Sequence, residues 1–457
     1  MDTRNGITKF SAAVLVATGL AVALIITAAG PLEAVSAGPG EVRPRLAGPH
    51  GAEVVWQPEV PGVAKHAAIH GRGPRHKLSR AEAEDVAQWA SQEGVDVGRA
   101  LVQYEPVPRF THVAAKLQAE NPETFVDSGV EWIDGDVEPW LTFTDRPDAR
   151  TVARIQSLPV SVDVMWGAPA SKQELEAISG QLLESLAAYY PGDAATSIDR
   201  ASWSVTVTTD DDAMITDAQL QSAVADAGAT AESPVEGPDG QPRPPVTIFH
   251  ATDELDESAL QATVQGGRNM NAISDNAAVC TAGFTAVRNG QAGLLTAAHC
   301  PNQLRYGNDK GIIEYTATAA DSPGGRNDFQ FHRTLSGNST NAQFRVTSST
   351  DRVVRRVSNP SNGQIVCKWG RFSGYGCATV SSTNRCYTYP GEGTFCGLVA
   401  VASNITLGGD SGGPWFFGET ATGGHTGLAA IAPFAYPVSV FTEISRVGKV
   451  DASVKVS

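Results

Sequence analysis

All six cysteines of the 457-residue chain fall in one stretch, at Cys280, Cys300, Cys367, Cys377, Cys386 and Cys396. An even number confined to one segment points to disulfides formed in an oxidising compartment, and so to a second half that is covalently stapled. Zinc is the competing use of cysteine, but there is no CxxC pair and no histidine at ligand spacing from the cysteines. The N-terminus agrees with export. Arg4 and Lys9 precede an apolar run from Phe10 to Ala29, and Val35-Ser36-Ala37 fits a signal-peptidase site. An uncleaved membrane anchor is the alternative reading of that run. No other stretch approaches the ~20 apolar residues of a spanning helix.

The formal net charge of −15 is not spread evenly. Residues 1–263 carry 18 Lys and Arg against 38 Asp and Glu, whereas residues 264–457 carry 16 against 11. An acidic half is therefore joined to a mildly basic one, and opposite charges favour docking of one on the other. Two separately solvated surfaces would have the same composition. The basic excess is too small and too scattered for a nucleic-acid footprint.

The texture of the chain divides it. Residues 1–37 read as the signal peptide and 38–78 as a flexible leader. From Ser79 the segment SRAEAEDVAQWASQEGV opens a helix with an N-cap serine and early acids. Strand-like PWLTFT, PVSVDVMWG and SWSVTVTT then alternate with helical DARTVARIQSL, SKQELEAISGQLLESLAAYY and TDAQLQSAVADAG. This alternation predicts an α/β region over 79–232, with its helices on one sheet and a hint of duplication. Residues 233–263 read as a Pro-rich linker and processing segment, extended and open to proteolysis. Over 264–457 short strand-like runs such as AGLLTAAHC, DFQFHRTL and TFCGLVAVAS recur between turn residues, which predicts an all-β barrel or sandwich. The Asp210-Asp211-Asp212 run reads as a solvated turn, and the sequence calls for no metal and no cofactor.

Two local motifs carry chemistry: Thr296-Ala297-Ala298-His299-Cys300 and Gly409-Asp410-Ser411-Gly412-Gly413-Pro414. A serine hydroxyl becomes a nucleophile only beside a base, and histidine titrates in the right range to be one. The histidine in turn needs a carboxylate to fix its tautomer. Glycines around Ser411 allow a tight turn in which the N–H groups of Gly409 and Ser411 point to one spot, an oxyanion hole. A Gly-rich turn or a packed histidine alone is common. In this order, within a cysteine-stapled β domain, they point together to acyl transfer.

On these motifs, residues 264–457 resemble the chymotrypsin-like serine peptidases, in the bacterial branch that holds α-lytic protease and the streptogrisins. The resemblance implies a double β-barrel with a Ser-His-Asp triad and no cofactor. It places the acid between His299 and Ser411 just before a strand, which selects Asp328 in Asn327-Asp328-Phe329 over Asp309 and Asp321 in looser turns. It pairs Cys280 with Cys300 around the histidine loop and Cys367 with Cys377, leaving Cys386 with Cys396. It gives Lys368, directly after Cys367, the place of the internal basic residue that pairs with Asp410. It puts Ile405, Thr406, Leu407, Ala429, Ala430 and Ala432 around the substrate pocket, with Ala430 where the family has a serine supporting the acid. Ile405 stands where Lys- and Arg-selective members have an acid, so the implied preference is for small to medium apolar residues. Val264-Gln265-Gly266-Gly267 matches the start of a mature chain, which sets processing within residues 258–264. The acidic half then becomes an intramolecular inhibitor and folding helper. The expected product is a secreted serine endopeptidase precursor that acts on polypeptides and has no lasting membrane association. A catalytically weak or inactive protease-like binding protein is the alternative, and Ala430 is its foothold.

Overall fold

The computed structural model describes residues 65–74, 77–133, 136–188, 194–199, 204–209, 222–223, 226, 246–250, 266–272, 278–302, 304–306, 312–318, 326–334, 340–389, 392–429 and 437–457. The signal peptide, the processing segment and the Asp210–Asp212 run therefore lie outside the described residues. So do Ala430 and Ala432. No helix among the described residues is long and apolar enough to cross a membrane.

Among its described residues the N-terminal region holds the helices α1 (Arg80–Glu93), α2 (Val97–Tyr104), α3 (Val107–Glu120), α4 (Ala149–Gln156) and α5 (Lys172–Ala187). Ser79 caps α1 as its sequence requires. Its Oγ accepts from Glu82 N–H at 3.2 Å, and its own N–H donates to Glu82 Oε2 at 2.8 Å. Ser171 and Glu174 repeat this reciprocal box at α5. Strands β1 (Lys65–Ile69), β2 (Phe125–Ile133), β3 (Asp136–Phe143) and β4 (Val162–Trp166) form a sheet in the order β1-β4-β3-β2, with β3 and β4 parallel. The leader segment thus already contributes a strand, β1, because its alternating residues complete an open sheet edge.

Three further strands precede the C-terminal domain: β5 (Ala194–Asp199), β6 (Ser204–Thr209) and β7 (Val246–His250). They do not join the N-terminal sheet, which corrects the expectation of a single α/β layer. β5 pairs antiparallel with the long strand β19 of the C-terminal domain, setting Thr196 opposite Cys386. β7 falls inside the expected linker and pairs parallel to β6. The physical reason is ladder geometry. β19 presents an unpaired edge, and the Ala194–Asp199 run supplies the strand that satisfies it.

The C-terminal domain is all β. Its first sheet comprises β8 (Asn269–Ala272), β9 (Ala278–Thr281), β10 (Thr285–Arg288), β11 (Gln291–Thr296), β12 (Leu304–Tyr306), β13 (Ile312–Thr318), β14 (Gln330–Arg333) and the C-terminal β24 (Ala452–Val454). A small pair, β15 (Gln343–Arg345) and β16 (Asp351–Val353), and the short β17 (Arg356–Val357) lead to the second barrel. That barrel runs β18 (Ile365–Gly370), β21 (Pro414–Phe417), β22 (Thr420–Ala429), β23 (Val438–Glu443), β20 (Gly393–Val401) and β19 (Gly374–Tyr389). It closes because β18 also pairs with β19. This is the chymotrypsin-like double-barrel architecture, and a 3-10 helix at Ile444–Val450 leads into β24.

The N-terminal region and the second barrel share one apolar core. Val86, Ala90, Tyr104 and Phe110 cluster with Ile365, Cys367, Phe416 and Phe417. Tyr104 stacks obliquely on Phe417 at 5.2 Å, and its hydroxyl accepts from Ile365 N–H at 2.5 Å. The charge asymmetry of the sequence takes a concrete form. Arg352 of the C-terminal domain meets Asp85 at 2.8 Å and Glu84 at 3.0 Å, and Arg356 meets Glu82 at 3.4 Å. Arg446 pairs with Glu176, and the reversed pair Lys172–Glu443 closes at 3.0 Å with both side chains buried.

Candidate active site

β11 ends at Thr296, and a single turn carries Ala297 to Cys300 over the cleft. Three things fix that turn. Cys300 is bonded to Cys280 at the end of β9. Thr296 Oγ donates to Thr281 O at 3.1 Å. Gln330, fully buried at the start of β14, donates through Nε2 to Ala297 O at 2.7 Å and Cys300 O at 3.0 Å. Gln330 lies two residues after Asp328, so the strand that presents the acid also braces the loop that presents His299.

His299 Nδ1–H donates to both carboxylate oxygens of Asp328, each at 3.0 Å, and His299 N–H donates to Oδ1 at 3.1 Å. Both side chains are out of water. Because a carboxylate only accepts, the proton sits on Nδ1 and Nε2 is left as the base. Nε2 is buried and makes no hydrogen bond, so the Ser411 hydroxyl does not close onto it. Asp309 and Asp321 lie outside the described residues.

Ser411 sits in the turn between Leu407 and β21. Its carbonyl accepts from Thr281 N–H at 2.7 Å, and Thr281 Oγ donates to Gly409 O at 2.9 Å, so one threonine of the first barrel holds the serine turn from outside. From the other side, Gly412 N–H donates to His425 O at 2.7 Å and His425 N–H to Gly413 O at 2.8 Å, which docks the turn on β22. Gly409 has φ +97°, a region that only glycine enters freely. The N–H groups of Asp410, Gly412 and Gly413 are all bonded within this framework, whereas those of Gly409 and Ser411 carry no described bond. Two free N–H groups flanking a serine are the elements of an anion cradle.

Asp410 organises the turn. Its carboxylate accepts from Phe372 N–H at 3.0 Å and Leu407 N–H at 3.1 Å, lies 3.4 Å from Lys368 Nζ, and bonds Ser373 Oγ. Lys368 Nζ also reaches Ser373 Oγ and Gly374 O. Burial pulls the Lys368 ammonium down to about 8 against the opposing pull of Asp410. Burial works to raise Asp410, but the charges of Lys368 and His425 and the Ser373 hydroxyl outweigh it, and its pKa falls below the ordinary value. His425 is enclosed, and desolvation pulls it down to about 3.

Cys367 is bonded to Cys377 and Cys386 to Cys396. The remaining pocket candidates divide. Ile405 is partly buried and packs against the core cluster of the second barrel that holds Trp415 and Phe441. Thr406 Oγ bonds Ser439 Oγ at 2.7 Å, Ala429 is buried against Val438 and Val440, and Leu407 is exposed. Ala429 is thus committed to the barrel core. Thr281, Gln330 and Ser373 brace the site and were missed from sequence. Gln330 alone left a trace, as a polar residue interrupting the apolar DFQF strand.

No family model matches the chain. It is similar to serine protease 1 of Streptomyces fradiae, at 31% identity over 188 residues, or 37% of this chain and 46% of that protein. Streptogrisin-C of Streptomyces griseus is 31% identical over 164 residues, covering 32% of each chain. Glutamyl endopeptidase 2 of the same organism is 26% identical over 34% of this chain and 82% of its own. The chain thus spans less than half the length of the first two relatives. In its double-barrel fold and in these relatives, the C-terminal domain is similar to the bacterial branch of the chymotrypsin-like serine peptidases.

Proposed function

We propose that the chain is the precursor of a secreted serine endopeptidase whose triad is Ser411, His299 and Asp328. The observation that carries this is the His299–Asp328 pair, which occupies Nδ1 and leaves Nε2 as the ring nitrogen available to the serine. Ser411 Oγ attacks the peptide carbonyl, and Nε2 takes its proton while Asp328 stabilises the imidazolium. The N–H groups of Gly409 and Ser411 hold the oxyanion; His299 then protonates the leaving amine, and water releases the acyl group from Ser411. The unmade Ser411–His299 bond is of the kind that tightens when substrate binds. The Lys368–Asp410 pair holds the oxyanion turn in shape. The uncharged surroundings of Ile405, Thr406 and Leu407 favour small to medium apolar residues before the cut. The N-terminal region serves as folding helper and inhibitor, and cleavage within residues 258–264 frees the mature enzyme.

The unmade hydrogen bond at His299 Nε2 also favours a second reading, a protease-like binding protein without activity. Labelling by a serine-directed fluorophosphonate separates the two. The enzyme incorporates the label and loses it in Ser411→Ala, whereas the binding protein takes up none in either form. A peptide-library profile dominated by Arg, Lys or Glu before the cut would overturn the apolar preference alone.

A further inference from the structure

Phe372 and Leu407 are among the few large apolar side chains left exposed in the described residues, at 49% and 59%. Single exposed hydrophobics are ordinary. These two, however, flank the same turn, and one carboxylate holds both. Asp410 accepts from Phe372 N–H at 3.0 Å and from Leu407 N–H at 3.1 Å, so the residue next to Ser411 sets where both side chains project. The Phe372 ring lies against Gly409 itself: a Cβ on Gly409 would come within 2.2 Å of it. Arg371 stacks over the outer side of that ring, 5.8 Å from its centroid, and its N–H reaches Thr281 Oγ at 3.4 Å. The ring is thereby steered by neighbours on both flanks and still offers a face to water.

The position of Phe372 assigns it to one side of the scissile bond. Gly409 N–H belongs to the proposed oxyanion cradle, so anything resting on Gly409 lies within about one residue of the reacting carbonyl. The serine turn is docked on β22 through His425 on one side and on β9 through Thr281 on the other. In the proposed reading the acyl part of the substrate extends along β22. Arg371 reaches Thr281 on the opposite, β9 flank, and Phe372 follows it in the chain; in the same reading the leaving amine departs on that flank.

Resting on the proposed peptidase reading, we propose that Phe372 forms a subsite for an apolar side chain on the leaving-group side of the cut. Covering an exposed aromatic face with an aliphatic side chain removes apolar surface from water on both partners. Phe372 therefore selects substrates by the side chains of their leaving-group half.

The test uses enzyme secreted from cells expressing the full chain. Two peptide series share one acyl half and differ only after the cut, carrying Leu or Gly at the first and second positions. The wild type is expected to favour Leu about ten-fold in kcat/KM at one of these positions. Phe372→Ser is expected to bring that ratio close to one, and Phe372→Tyr to restore most of it. Fluorophosphonate labelling of Ser411 reports separately whether each variant is a folded peptidase. Labelled enzyme with no Leu preference, or a preference that survives Phe372→Ser, overturns the subsite. No label in the wild type overturns the peptidase reading instead.

Discussion

Arg352 Nη1 donates to Asp85 Oδ1 over 2.8 Å with both side chains out of water, joining helix α1 of the acidic half to the C-terminal half. Asp85 also accepts from Gly418 N–H at 2.6 Å and from the Tyr375 hydroxyl. A buried carboxylate with three donors is a latch between two parts of one chain, and removing any donor leaves charge without compensation.

That latch titrates. Burial, only partly offset by Arg352, raises the Asp85 carboxyl from 3.8 to about 6. A group whose pKa is higher in the folded chain contributes stability that is complete below its unfolded pKa and is lost as pH rises through the folded one. For Asp85 that window runs from pH 3.8 to 6, and the shift is worth up to about 3 kcal/mol. We expect the urea midpoint of a Ser411→Ala precursor, relative to its Asp85→Asn counterpart, to rise as pH is lowered from 7 to 4. A flat or falling difference contradicts it.

The shared core makes a second prediction. Tyr104, Phe110 and Val86 lie in the same cluster as Ile365 and Phe417, and β5 completes the open edge of β19. Residues 264–457 expressed alone lose these partners and expose the corresponding surface. They are expected to give little active enzyme, and co-expression of 38–263 as a separate chain should restore it. Equal activity without the N-terminal part would show that the second barrel matures unaided.

These interlocks also mark what could be read from the chain beforehand. The N-cap serine Ser79 with its early acids, the strand–helix alternation and the β texture after residue 264 are local patterns and were legible. The acidic and basic halves were legible as sums, but not the choice of Arg352 for Asp85 or Lys172 for Glu443, because tertiary pairing has no local signature. For the same reason the SWSVTVTT run of β6 read as part of the N-terminal sheet, and β7 as linker. Strand periodicity reports that a segment is extended, not which edge it satisfies. At the site, His299 and Ser411 stood out by motif and Asp328 through the family resemblance, whereas Thr281 and Gln330 act through hydrogen bonds to distant loops.

The Cys280–Cys300 disulfide ties the histidine turn to β9 across a separation of 20 residues. Closing a loop of that size contributes about 3 kcal/mol in the chain-entropy model. A Cys280→Ser, Cys300→Ser double variant is expected to unfold at lower denaturant by about that amount. It should also label more slowly with fluorophosphonate, since Thr296 and Gln330 must then hold the turn alone. An unchanged midpoint would mean that those hydrogen bonds suffice.

Lys368 and Asp410 provide the most discriminating pH experiment. Their side chains are buried 3.4 Å apart behind the proposed oxyanion turn, with Ser373 bridging them and His425 the other titratable group acting on Asp410. Lys368→Met leaves Asp410 buried without its partner and should cost about 3–5 kcal/mol. With the ammonium pulled down to about 8, the enzyme should lose kcat/KM above that pH as the pair loses its positive member. Stability behaves oppositely. A lysine whose folded pKa is lowered binds fewer protons folded than unfolded between about 8 and 10.5, so its own contribution to folding improves over that range. Falling activity with undiminished stability is therefore the expected signature. Lys368→Arg, which stays charged at high pH, should carry activity further into the alkaline range. If the arginine variant follows the wild-type alkaline limb, or if Lys368→Met retains full activity and stability, the pair does not hold the turn.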